Sequence, residues 1–105
     1  MLSTDGKLKL KSLLVDHEKN INFEADYIYF YNKLNNFLLF FHKLDENRKI
    51  ALLYSCFFIG VQGLIHSKEF LEAMHKSRYK EAAEEIAKIS DAIMASSYII
   101  KTGEI

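Results

Sequence analysis

A chain of 105 residues has room for one small core and not for two lobes that each bury their own. Half of its residues are hydrophobic, with six tyrosines and eight phenylalanines among them, which excludes a disordered chain. Fourteen basic residues balance fourteen acidic ones, so no electrostatic footprint for nucleic acid or for an anionic membrane surface is expected.

Proline is absent and glycine stands only at positions 6, 60, 63 and 103, a pattern that predicts an all-α domain. The opening "MLSTDGKLKLKSLLVDHEKN" holds no apolar block of signal-peptide length, so no secretion signal is expected. Ser3 or Thr4 is placed to cap a first helix carrying Leu10, Leu13, Leu14 and His17 at helical spacing, although "KLKLK" alone would also suit a strand. After Asn20 and Asn22, "FEADYIYFYNKLNNFLLFFHKL" sets Tyr27, Tyr31, Leu34, Leu38 and Phe41 at alternating spacings of four and three, one stripe of one helix. Rings outside that stripe predict that this helix buries more than one face.

Asp45, followed by Glu46, is placed to cap the next helix, "NRKIALLYSCFFI". That helix is apolar nearly all round and is therefore expected in the middle of the domain, with neighbours on every side. The apolar run from Ile50 to Ile65 is shorter than the roughly 20 residues of a membrane span, so no span is expected. Gly60 is expected to take the left-handed conformation that closes a helix, with Gly63 completing the turn. Ser67 then caps a short helix bearing Phe70, Leu71 and Met74, with Glu69 in its first turn. The chain bends again at Ser77 and Arg78. Tyr79, Ala82, Ala83, Ile86, Ser90 and Ile93 trace the buried stripe of another helix, and "SSYIIKTGEI" reads as a last short helix stopped by Gly103. The sum is a single domain over residues 1–105, five or six helices wrapped around a central helix from Asn47 to Ile59.

The stretch from Asn47 to Ile89 resembles the C-terminal helical lobe of the phage-type lysozymes, the T-even phage group in particular. The resemblance is carried by Arg48, Ala51, Leu52, Phe57, Gly60, Gly63, Leu71, Tyr79, Glu81, Ala82 and Ala83, in a register that needs no gap. "KTGEI" at the end is similar to the basic-Thr-Gly close of that lobe, and the helix from Phe23 to the one joining the two lobes. Membership would imply peptidoglycan as the ancestral substrate and hydrolysis by a separate N-terminal lobe. Glycoside cleavage needs a carboxylic acid with a raised pKa and a second carboxylate or positioned water. The family's Glu, Asp, Thr and Gly-x-Gly-His pattern is not found: Asp5-Gly6 faintly echoes its start, but Leu14 stands where the second carboxylate belongs and Asp16 comes two places late. Phe58 also replaces the glutamine of the T-even group. No catalytic residue is assigned.

Other chemistry is weighed against plain structure. Glu81, Glu84 and Glu85 read as a solvated face pairing with Lys80 and Lys88. His17, His42, His66 and His75 are not paired at ligand spacing, so no metal is expected, nor any cofactor. Cys56, the single cysteine, lies in an apolar run, excludes an internal disulfide and suits packing in a reducing, cytoplasmic compartment. The aromatic cluster Tyr27, Tyr29, Phe30, Tyr31, Phe37, Phe40 and Phe41 is either core or contact surface. Tyr27, Tyr31, Phe37, Phe40 and Phe41 are taken as the interface candidates, for a second copy of the chain or a protein partner. Two functions are therefore expected: a lysozyme-like protein of phage or prophage origin, truncated to the helical lobe and without glycosidase activity of its own, or a small cytoplasmic helical interaction module. An active muramidase stands third.

Overall fold

The computed structural model describes residues 1–14 and 22–89, which form five α-helices and one 3-10 turn, with no strand among the described residues. The expected helix over "SSYIIKTGEI", and His17, Ser90 and Ile93, lie outside them. The fold class is all-α.

Helix α1 spans Thr4–Leu14, so the spacing of Leu10 and Leu14 prevails over the lysine–leucine alternation. The Ser3 hydroxyl caps it by accepting the Gly6 N–H at 3.1 Å. Leu10 and Leu14 are buried and Leu13 is half-buried. Two contacts fasten the start of the chain. The Leu2 N–H donates to the Tyr27 hydroxyl at 3.0 Å, and the Ser3 N–H donates to the Glu46 carboxylate. A side chain on Gly6 would meet that carboxylate, the end of a flexible side chain that would have to move aside.

Helix α2 spans Phe23–Phe37 and begins where the Asn22 side chain accepts the Ala25 N–H at 3.2 Å. The whole stripe of Tyr27, Tyr31, Leu34, Leu38 and Phe41 is buried, yet the helix ends before it does. Leu38 is extended and Phe41 sits in the 3-10 turn Phe41–Lys43, after Asn35 and Asn36, both weak helix formers. The expectation of more than one buried face needs correction. Phe23 and Phe30 widen the stripe, but Ile28, Tyr29 and Phe37 face outward.

Helix α3 spans Glu46–Ile65, with the Asp45 carboxylate capping it by accepting the Arg48 N–H at 3.2 Å. Every residue from Ile50 to Cys56 is buried. Gly60 has the expected positive φ, 73°, but its ψ of 168° is extended rather than left-handed helical. The chain therefore turns a corner and re-enters helix at once, and α3 runs on past Ile59. Gly63 is no part of that turn. It lies in the helix beyond it, where a Cβ would come within 3.0 Å of the Ile59 Cβ. Length and composition alone would let α3 cross a membrane, but the Gly60 corner interrupts it and over half of its apolar stretch is covered by protein.

Helix α4 spans Lys68–His75 and α5 spans Tyr79–Ile89. Ser67 occupies the capping position of α4 but makes no capping bond; its hydroxyl donates back to the Gly63 carbonyl at 2.9 Å. Phe70, Ala73 and Met74 of α4 meet Ala82, Ala83 and Ile86 of α5 in one core, the alanines allowing close approach. Between the helices the Arg78 N–H bonds the Ala73 carbonyl at 2.8 Å and the Ser77 N–H the Met74 carbonyl at 3.2 Å. This is the paired closure that usually places glycine at its left-handed residue, and Ser77 holds that place with φ 59°. Arg48, at 8 % exposure, lies against the Tyr79 ring with its guanidinium carbon 3.3 Å from the centroid, tying the start of α3 to the start of α5.

Ser77→Gly removes the Cβ cost at a left-handed position and is expected to raise the unfolding free energy by about 1 kcal/mol. A urea midpoint that fails to rise at constant slope would contradict this. The pKa of Glu46 is lowered, chiefly by the hydroxyl and N–H of Ser3. Since the folded value lies below the unfolded one, this stabilisation is present above the ordinary carboxylate range and is lost as pH falls through the folded value. Glu46→Gln is accordingly expected to flatten the acid limb of the stability curve; an unchanged limb would place the acid dependence elsewhere.

Candidate functional site

Tyr29, Lys33 and Phe37 follow one another at four-residue steps, which aligns them along one flank of α2, beside its buried stripe. The Lys33 ammonium lies 5.6 Å from the Tyr29 ring centroid and 5.7 Å from that of Phe37. Tyr29 meets Phe30 edge-on at 5.7 Å, Phe30 meets Phe57 edge-on at 5.0 Å, and Phe57 stacks on Phe23 at 5.9 Å. The outward Tyr29 ring is thus anchored through successive aromatic contacts to the core.

The opposite wall is the corner of α3. Tyr29, Phe30, Lys33 and Phe37 face Gly60, Val61 and Gln62 across a groove of about 300 Å³. A Cβ built on Gly60 would meet no atom within 4 Å, so its backbone borders open space. Among the described residues of this lining Lys33 is the only charged one, and the Gln62 amide and Tyr29 hydroxyl are the other polar side-chain groups. Phe58, 41 % exposed, packs on Tyr54 at 4.9 Å one turn away.

Of the five interface candidates, Tyr27, Tyr31 and Phe41 are core residues, buried in the stripe. Phe40 is half-buried, edge-on to His75 at 5.8 Å. Phe37 alone of the five lines the groove, at 55 % exposure. Tyr29 and Phe30 of the wider cluster join it, whereas Lys33, Gly60, Val61 and Gln62 were not expected there. The sequence does carry a signal for the missed lysine: its four-residue offsets from Tyr29 and Phe37 run parallel to the buried stripe and out of phase with it.

Nothing else in the described residues assembles into a reactive site. Burial pushes the Cys56 thiol up to about 12, so it is no nucleophile at neutral pH. Glu81, Glu84 and Glu85 stand on the outer face of α5, with Glu85 3.1 Å from Lys88 and Glu81 3.7 Å from Arg78. The Glu72 pKa is lowered by its hydrogen bond from Lys76, the wrong direction for a general acid. Among the described residues no group of three or more histidine, cysteine or acidic side chains is arranged to hold a metal. His42, His66 and His75 are all exposed. Compared with protein-family models, with curated proteins and with solved structures, the chain matches none.

The division between core and surface rings is measurable. Tyr31→Ala is expected to cost about 3–5 kcal/mol, as for other large-to-small core changes. Tyr29→Ala and Phe37→Ala are each expected to cost under about 1 kcal/mol. Equal losses at all three positions would show the groove rings to be structural.

Proposed function

We propose that the protein is a non-hydrolytic helical binding module, similar to the helical lobe of a phage-type lysozyme, whose contact face is the groove between α2 and the Gly60 corner. The observation that carries this reading is the lining of the groove. Among the described lining residues, rings are held open to solvent beside a single cation, with no carboxylate among them. Such a surface binds by stacking and apolar contact and has no acid with which to protonate a leaving oxygen. A protein partner is the favoured ligand, and the single buried thiol suits a reducing, cytoplasmic setting.

Peptidoglycan is the second reading, favoured by the likeness of Asn47–Ile89 to a lobe that lies against glycan in its own family. A phage or prophage origin belongs to the same likeness. Incubated with purified sacculi, the protein is expected to leave their turbidity unchanged. Turbidity loss that disappears when one carboxylate is replaced would overturn the non-hydrolytic reading. Retention on sacculi that Phe37→Ser abolishes would make peptidoglycan the ligand in place of a protein.

A further inference from the structure

We propose that the groove takes a short extended peptide of the pattern apolar-x-acidic-x-apolar from a partner protein, its central carboxylate on Lys33 and its flanking apolar side chains against Tyr29 and Phe37. The inference rests on the groove being the contact face and names what that face selects.

Charge complementarity gives the acid. Lys33 is half-buried, its ammonium shared between two rings, and no carboxylate among the described residues lies within ion-pair distance of it. Lys7, Lys76 and Lys88 are paired with Glu24, Glu72 and Glu85; Lys49 also lies over two rings, Tyr31 and Phe41, but does not line the groove. A carboxylate arriving at Lys33 would form a charge-assisted hydrogen bond to a cation already partly stripped of water. A small inorganic anion would leave the rings unused, and a purely apolar ligand would leave the ammonium uncompensated. One lysine in a chain of zero net charge gives no footprint for nucleic acid.

Helix geometry gives the spacing. Four residues of helix rise about 6 Å, so Tyr29, Lys33 and Phe37 present their side chains at about 6 Å intervals along α2. In an extended peptide, alternate side chains point to one side at intervals of about 6.5 Å. Three alternate residues therefore fall in register with ring, cation and ring. The second wall suits a peptide backbone: Gly60 offers no side chain to obstruct it, and the Gln62 amide carries both a donor and an acceptor.

The test uses the whole protein, labelled with nitrogen-15 and titrated with acetyl-Leu-Ser-Glu-Ser-Leu-amide and with the same peptide carrying Gln in place of Glu. The amides of Gly60, Val61 and Gln62 are expected to shift, with the Glu peptide binding about fivefold more tightly. In Lys33→Gln, whose site is on the surface, that preference is expected to vanish while the fold is unchanged, as the coupling of a contacting pair requires. Equal affinity for the two peptides would overturn the acidic preference and leave the groove as a binding face. Groove shifts that follow protein concentration alone, without peptide, would overturn the proposal in favour of a second copy. An absence of groove shifts at millimolar Glu peptide would also overturn it, while retention of a ligand lost in Phe37→Ser would still sustain the broader reading.

Discussion

The fold depends on the unbroken burial from Ile50 to Cys56. A helix apolar on one side can lie on a surface; one buried through two full turns must be surrounded. Helices α1, α2 and α4 each pack on α3, and one polar group caught inside is satisfied locally, the Ser55 hydroxyl donating to the Ala51 carbonyl at 2.9 Å. The covering helices are short and would be marginal alone, so their stability is mainly the burial they share with α3. The two fastenings of the first residues, to Tyr27 and Glu46, secure the α1 side of that cover.

Much of this was legible in the sequence because burial and periodicity are the same fact seen twice. Tyr27, Tyr31, Leu34, Leu38 and Phe41 are all buried as their spacing implies, and Asp45 caps as its position implies. The failures share a cause. Leu38 and Phe41 keep the phase of the stripe although the helix has ended, since a 3-10 turn also returns side chains to one face every three residues. Ser67 has the identity of a cap, but its hydroxyl serves the helix behind it, and identity does not fix the direction of a hydroxyl. Gly63 looked like a turn residue and is a contact residue, because glycine marks an absent Cβ without saying whether the backbone or a neighbour requires the absence.

The groove was harder to read for a related reason. An aromatic-rich helix announces rings, and rings in a core and on a contact face are the same residues. What separates them is phase relative to the buried stripe: Tyr29 and Phe37 fall beside it, Tyr31 and Phe41 on it. The far wall has no sequence signal near these residues, since Gly60, Val61 and Gln62 belong to another helix and reach the groove only because α3 turns a corner. Sequence can propose the face of a helix; the tertiary fold supplies what stands opposite.

That corner also separates scaffold from contact face. The residues carrying the lysozyme resemblance nearly all hold structural posts. Gly60 supplies a positive φ, Gly63 a close approach to Ile59, Arg48 and Tyr79 a stacked contact between helices, and Ala82 and Ala83 thin packing. Open space around Gly60 shows that its glycine is required by the backbone and not by the groove. Physical demand of this kind accounts for such residues without reference to any substrate. Tyr29, Lys33 and Phe37 lie outside Asn47–Ile89, at positions whose exposure leaves the core free of them. A change at those structural positions tests the scaffold; only a change at these three tests what the scaffold presents.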